Sequence, residues 1–127
     1  MGEIRLKRVY EPPEEEDGLR VLVDRLWPRG LNKDKTRIDF WFKEIAPSEE
    51  LRRWFGHDPA RFPLFKKRYE QELRENAAAV GRLLELVRGN PVVTLLYGAR
   101  DRERNQAVVI REFLNTALGS KRKSKSR

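Results

Sequence analysis

The chain has 127 residues and a formal net charge of +8; 39% of the residues are hydrophobic, 38% are charged, one is histidine and none is cysteine. This length predicts a single domain with one core. The absence of cysteine excludes disulfides, cysteine nucleophiles and cysteine-rich metal sites, and the single histidine excludes a histidine-rich metal site. We therefore expect neither a metal nor another cofactor. Because no apolar run reaches the roughly 20 residues that cross a bilayer and the first residues lack the pattern of a secretory signal, we expect a cytoplasmic protein without a membrane partner.

Three segments predict β-strands. In residues 4–10, the apolar Ile4 and Leu6 alternate with basic residues and are followed by Val9 and Tyr10. This pattern indicates a half-buried strand. Residues 19–23 form a short β-branched run, and residues 92–97 form a fully apolar one. Continuous apolarity is typical of the strands of parallel sheets, which are covered on both faces.

Helical patterns lie between the second and third strands. Apolar residues recur at helical spacing over residues 38–45, after a segment that resembles a capping box. Ser48 predicts the N-cap of a second helix, which Gly56 ends. A longer amphipathic helix follows over residues 62–73.

Two further helices complete the pattern. Asn76 breaks the long helix before another one, whose apolar face includes Leu84 and which ends before Pro91. After the third strand, a final helix has Ala107 and Ile110 on its apolar face, with Asp101 as its expected cap.

Strands separated by helices predict an α/β fold: a small single-domain sandwich with a mostly parallel sheet and flanking helices, over residues 1–119. In such sheets, ligands bind outside the carboxyl ends of the strands. Asp24 and Arg25 follow the second strand, and residues 97–101 follow the third. Both charged clusters are therefore expected at the same edge of the sheet.

Three arginines at that edge, Arg25, Arg29 and Arg100, predict a site for an anion, because the planar guanidinium matches phosphate and carboxylate groups. Trp27 or Tyr97 would face the non-ionic part of the ligand. The alternative is a structural network of ion pairs between these arginines and neighbouring acids.

The candidate catalytic residues are Asp24, Asp101 and His57, for hydrolysis or group transfer. Histidine is the residue type that titrates near neutrality, so a general base of that type would have to be His57. The alternative is that Asp58 caps the following helix and His57 completes the turn before it.

Three motifs carry a resemblance to a known family. Asp-Arg-Leu-Trp-Pro-Arg-Gly at residues 24–30, Trp-Phe-Gly-His-Asp-Pro at residues 54–59 and Thr-Leu-Leu-Tyr-Gly-Ala-Arg-Asp at residues 94–101 together resemble the YeaO-like proteins of bacteria and archaea, a domain of unknown function. The likeness extends from Ile4 to Leu118. It implies a compact α/β domain and supplies no activity.

The start of the last helix departs from the family pattern. The broader family often has Cys-His-Arg there, and the YeaO-like branch has Asn-His-Ala, whereas this chain has Asn105-Gln106-Ala107. The difference argues against thiol or imidazole chemistry at this point, while Asn105 retains a hydrogen-bonding role. The positions that match the family pattern, and that the resemblance implies for a ligand site, are Asp24, Arg25, Trp27, Arg29, Tyr97, Arg100, Asp101 and Asn105.

Three functional hypotheses follow. The first is a pocket for a small anion, a nucleotide or a phosphate ester, in a protein that is either a binding protein or an enzyme of hydrolase or transferase type. The second is a nucleic-acid-binding module that uses the long helix and a basic tail, residues 120–127, which carries five of the positive charges and is disordered by composition. The third is a dimer interface at an exposed aromatic stretch around Trp54 and Phe55.

Overall fold

A computed structural model of the protein describes residues 2–125, with side chains up to residue 119. Its centre is a parallel sheet of four strands: β1 (Glu3–Arg8), β2 (Leu19–Leu22), β3 (Phe40–Trp41) and β4 (Val92–Tyr97). Their order across the sheet is β1-β4-β2-β3. This confirms the predicted α/β class and places β4 between β1 and β2.

The register brings three strand ends to one edge of the sheet. Arg8 of β1 lies opposite Tyr97 of β4, and Leu22 of β2 lies opposite Leu96. The Val23 N–H extends this ladder by donating to the Leu96 carbonyl at 3.0 Å. The segments after β2 and β4 therefore emerge side by side, as predicted.

The four described helices are α1 (Glu49–Phe55), α2 (Phe62–Glu75), α3 (Ala77–Gly89) and α4 (Gln106–Lys125). Sequence signals at the ends of three of them are confirmed. In α1, the Ser48 hydroxyl accepts a hydrogen bond of 3.1 Å from the Leu51 N–H, and Gly56 ends the helix in a left-handed conformation with φ of 54°. Asn76 separates α2 from α3. Short 3-10 turns lie at Glu15–Asp17, Lys43–Ile45 and Pro59–Arg61.

The predicted cap of α4 is wrong. Asn105, rather than Asp101, precedes the helix, and its Oδ1 accepts from the Val108 N–H at 3.1 Å. Asp101 stabilises the turn before it, because its Oδ1 accepts from the N–H groups of Glu103 and Arg104. Both residue types favour such positions, and the chain enters the helix four residues later than the sequence indicated.

The helix predicted over residues 38–45 is also wrong. Phe40 and Trp41 form strand β3, whose partners in β2 are Val21 and Leu22. A 3-10 turn then brings Ile45 into the core. The apolar spacing fits a helix, but pairing with an existing strand edge prevails over local periodicity.

All four helices contribute buried residues to one main core. In it, residues such as Leu83 of α3 and Ile110 of α4 pack against Val21, Val93 and Leu95 from one face of the sheet. The opposite face carries a small cluster of Val9, Leu22 and Leu96, which is covered by side chains of loops rather than by helices: Trp27, Leu31 and Ile38. The connection after β2 thus covers this cluster, and the connection before β2 lies against the same face, where the Asp17 carbonyl accepts a hydrogen bond of 2.6 Å from the Thr94 hydroxyl.

A buried ion pair supports these connections. Arg20 of β2 is fully buried, and its Nη1 lies 2.5 Å from Asp17 Oδ2. Lys7 of β1 also contacts Asp17, at 3.1 Å, while the Arg20 Nε donates to the Arg37 carbonyl. The 3-10 turn and the loop before β3 are therefore attached to the sheet by charge-assisted hydrogen bonds.

Among residues 2–125, no helix is long and apolar enough to span a membrane. The predicted disorder of the tail stays a prediction: α4 is assigned through Lys125, but the side chains from residue 120 onward and residues 126 and 127 lie outside the described part of the chain.

Candidate functional site

A pocket of about 240 Å³ opens at the carboxyl edge of the sheet. Its walls come from residues 24–29 after β2, Gly98 and Ala99 after β4, Gln106 of α4, and the end of α1. A single water needs only about 10–15 Å³ of such space, so the pocket can hold a small organic molecule. The position is the one where parallel α/β sheets bind ligands.

Asp24 connects the two strand ends beside the pocket. Its Oδ2 accepts a hydrogen bond of 3.0 Å from the Gly98 N–H, and its Oδ1 accepts from the side-chain amide of Gln106. Glycine at position 98 leaves room for this carboxylate, because a Cβ atom there would lie 2.8 Å from Asp24 Oδ2. The carboxylate thus holds β2, β4 and α4 together at one point.

Burial raises the pKa of Asp24 to about 6, although the hydrogen bonds from Gly98 and Gln106 act in the opposite direction. None of the salt bridges among the described side chains includes Asp24. The alternative of an ion-pair network at this edge is therefore wrong for this residue. Its two hydrogen-bond donors are neutral, so its charge is only partly compensated.

Arg25 lines the pocket and also has a structural role. Its Nε donates to the Pro47 carbonyl at 3.0 Å, and its Nη2 donates to the Ala46 carbonyl at 3.4 Å. These bonds attach the segment before α1 to the end of β2. The remaining guanidinium nitrogen, Nη1, is the part of this side chain available to a ligand.

Arg29 and Arg52 bring two further positive charges to the pocket wall. Arg29 is exposed, and its backbone carbonyl accepts a hydrogen bond of 2.7 Å from the Tyr10 hydroxyl. Arg52 lies on α1, and its Nη2 is 3.5 Å from Glu49. The Arg52 Nε is buried and has no hydrogen-bond partner within the described residues.

His57 reaches the rim of the same pocket. It is exposed, it has a left-handed backbone with φ of 59°, and its ring centroid lies 6.1 Å from that of Phe55. Asp58 Oδ1 accepts from the Ala60 N–H at 3.0 Å. Asp58 therefore caps the following 3-10 turn, as the structural alternative predicted, and His57 completes the preceding one.

Trp27 borders the pocket, but most of its contacts are structural. The ring packs on the loop-covered face of the sheet and meets Trp41 edge to face at 5.4 Å. Its Nε1 donates to the Leu31 carbonyl at 3.3 Å. The indole therefore fixes the shape of the loop that carries Arg29.

The other predicted site residues lie outside the pocket lining. Tyr97 is buried in the main core, and burial raises its pKa. Arg100 is exposed. Asp101 pairs with Arg104 at 3.4 Å, and hydrogen bonds from the backbone of Glu103 and Arg104 lower its pKa. Asn105 is buried as the cap of α4.

Three lining residues with polar side chains were not among the predicted ones: Tyr10, Arg52 and Gln106. Tyr10 follows the end of β1, so the rule that identified Asp24 applies to it as well. Gln106 was noted only as a departure from the family pattern. Arg52 has no comparable sequence signal, because its position depends on how α1 packs on the domain.

The two other functional hypotheses find less support among the described side chains. In the basic part of α2, Lys66 pairs with Glu112 at 2.6 Å, and the Arg68 guanidinium lies 4.6 Å from the Trp54 ring centre. Phe55 is buried in the main core, so the aromatic stretch is less exposed than the dimer hypothesis requires.

A family profile matches residues 3–127 of the chain. This protein belongs to the inactive DUF488-N3 subclade. Among the relatives of this chain, an uncharacterized protein of Mycobacterium tuberculosis is 45% identical over 112 residues, which cover 88% of this chain and 93% of the relative. The uncharacterized protein YeaO of Escherichia coli is 42% identical over 113 residues, which cover 89% and 97%. The predicted likeness to the YeaO-like proteins is thereby confirmed. No solved structure matches the chain.

Proposed function

We propose that this member of the subclade binds a small anionic molecule, a nucleotide or a phosphate ester, in the pocket at the carboxyl edge of the sheet. The observation that carries this proposal is the charge of the lining. Arg25, Arg29 and Arg52 line the pocket together with a single carboxylate, Asp24. The two positive charges in excess favour a ligand that carries negative charge.

The hydrogen-bonding state of Arg52 supports the same conclusion. A buried N–H group without a partner costs about 1–3 kcal/mol, and the Arg52 Nε is such a group among the described residues. A small rotation of the Arg52 side chain would turn this N–H towards the pocket, where a phosphate or carboxylate oxygen would accept the bond. The resulting charge-assisted hydrogen bond is stronger than one between neutral groups.

Binding without catalysis fits the residues at the pocket better than an enzymatic reaction. The subclade is described as inactive. At the position where the YeaO-like resemblance implies histidine, this chain has Gln106, which donates to Asp24 and does not exchange protons near neutrality. Asp101, the second predicted catalytic acid, forms a turn outside the pocket lining.

Two neighbouring arginines on α1 allow a matched test. Arg52 and Arg53 both pair with Glu49, but only Arg52 lines the pocket. Calorimetric titration of the full chain with ribose 5-phosphate and adenosine monophosphate measures the affinity. Arg52→Gln should weaken binding about tenfold or more, the loss expected for one charge-assisted hydrogen bond, and Arg53→Gln should leave it unchanged. Equal effects of the two substitutions, or no binding to the unsubstituted chain, would overturn the proposal.

A catalytic role for Asp24 is the second candidate, and its pKa of about 6 favours it. A carboxyl group that titrates near the working pH can act as a general acid or base. Phosphate release from an added phosphate ester, measured between pH 5 and pH 8, tests this role. A rate that follows the titration of Asp24 and disappears in Asp24→Asn would establish catalysis; no release above the uncatalysed rate would exclude it.

A further inference from the structure

Two large apolar side chains at the pocket are exposed to solvent. Leu26 is 57% exposed and Tyr10 is 44% exposed, and both line the same cavity as the arginines. Among the described residues, the other large exposed apolar side chains are Phe40, Trp41 and Leu64, none of which lines this pocket. Single exposed leucines need no explanation, but two apolar side chains at one charged cavity form a surface of mixed character.

The Tyr10 ring is held in place before any ligand binds. Its hydroxyl donates to the Arg29 carbonyl at 2.7 Å, and the Arg8 guanidinium lies 5.1 Å from the ring centre. The Arg8 side chain is itself fixed, because its Nε donates to the Ala99 carbonyl at 2.9 Å. A ring restrained at its hydroxyl and over one face loses little conformational entropy when a ligand packs against it.

The sequence predicted that Trp27 or Tyr97 contacts the non-ionic part of a ligand. Both are less suited to that role than Tyr10 and Leu26. Tyr97 is buried in the main core, and Trp27 packs on the opposite sheet face and against Trp41. Tyr10 and Leu26 provide the open apolar area instead. The same cavity thus combines guanidinium groups with a tyrosine ring and a leucine side chain.

From this arrangement we infer that the ligand is an aryl or similarly planar phosphate ester, whose ring packs on Tyr10 and Leu26 while its phosphate contacts the arginines. This inference rests on the proposed anion-binding function and names the class of ligand. A planar ring gains contact area and stacking interactions with the tyrosine, and the phosphate receives the hydrogen bonds that arginine donates best. Tyr10 and Leu26 are then the residues that determine specificity.

Phenyl phosphate and methyl phosphate distinguish the contribution of the ring from that of the charge. Both are phosphate monoesters, and at pH 8 both carry close to two negative charges. Calorimetric titration of the full chain should show phenyl phosphate binding about tenfold more tightly than methyl phosphate. Leu26→Ser and Tyr10→Ala should each reduce this ratio to less than about threefold.

Leu64→Ser is the matched control, because Leu64 is 45% exposed on α2 and does not line the pocket. It should preserve the tenfold ratio. Equal affinity for the two esters in the unsubstituted chain would overturn the assignment of ligand class while leaving anion binding intact. A ratio that survives both Leu26→Ser and Tyr10→Ala would also overturn it. No binding of either ester would overturn the proposed function itself.

Discussion

The carboxylate of Asp24 accepts a hydrogen bond from the backbone N–H of Gly98, with 3.0 Å between Oδ2 and N. This contact joins the segment after β2 to the segment after β4, 74 residues later in the chain. Two parallel strands that are already paired are thus connected again just beyond their ends. The shape of the pocket depends on this connection.

Gly98→Ala should disturb that contact. The added Cβ would lie 2.8 Å from Asp24 Oδ2, so the carboxylate or the backbone has to move, and we expect a loss of about 1–3 kcal/mol in the free energy of unfolding. Urea denaturation of the full chain measures it. Gly81→Ala is the control, because nothing lies within 4 Å of a Cβ at that helical position; alanine there should stabilise α3 by up to about 1 kcal/mol. Equal stability of the two variants would contradict the prediction.

Asp24→Asn should change how stability depends on pH. The pKa of Asp24 is about 6 in the folded protein, against 3.8 as its ordinary value, so the folded state binds this proton more tightly than the unfolded state. Its contribution to stability is fully present below about pH 4 and is lost as the pH rises through 6. A difference of about two between these pKa values corresponds to about 3 kcal/mol.

Asparagine removes this titration and keeps the hydrogen bonds, since Gln106 can rotate its amide to present an oxygen. The variant should therefore be more stable than the unsubstituted chain at pH 8, by up to about 3 kcal/mol, and similar to it at pH 4. Thermal unfolding of both proteins across this pH range measures the effect. The difference in stability between them at each pH removes the contribution of the other titrating groups, which the two proteins share. A difference that does not vary with pH would show that Asp24 titrates normally.

Asn105→Ala should destabilise the protein more than Asp101→Ala does. Asn105 caps the 20-residue helix α4, and it is 1% exposed, with its Nδ2 also donating to the Asp101 carbonyl at 2.8 Å. Loss of such a cap costs about 1–2 kcal/mol. Asp101 supports only a turn, so its replacement should cost less. Chemical denaturation measures the free energy of unfolding of both variants. A larger loss for Asp101→Ala than for Asn105→Ala would show that Asp101 is the cap of α4.

Asp17→Ala should be strongly destabilising, because it leaves the fully buried Arg20 without its carboxylate partner. Removal of one member of a buried ion pair costs about 3–5 kcal/mol. Arg20→Met should cost less, since Asp17 retains Lys7 at 3.1 Å. The double variant should be more stable than the sum of the single effects predicts. Additive losses in urea denaturation would show that the two side chains act independently.

The features that the sequence predicted correctly are those set by short-range patterns. Ser48 and Gly56 bound α1 because a hydroxyl and a left-handed glycine satisfy helix ends locally. Asp24 and Arg25 lie at the pocket because residues after parallel strands must emerge at the same edge, whatever the strand order.

The features that the sequence missed depend on tertiary contacts. Phe40 and Trp41 became a strand because the edge of β2 was available to pair with them, and no local spacing indicates this. Arg52 and Gln106 lie on helices, and whether a helical residue faces a pocket follows from how the helix packs on the sheet. Arg100, in contrast, follows a predicted strand, and its side chain is nevertheless exposed to solvent.

The strand order has a consequence for how the chain assembles as it is synthesised. The register joins β1 to β4 and β4 to β2, so the two earliest strands have no direct ladder with each other and both pair with one that begins at Val92. Each of these pairings closes a long loop of chain, which slows folding relative to proteins built from local contacts. A nascent chain that has not yet released β4 from the ribosome carries unpaired strand edges and an uncovered apolar surface, the features that chaperones recognise.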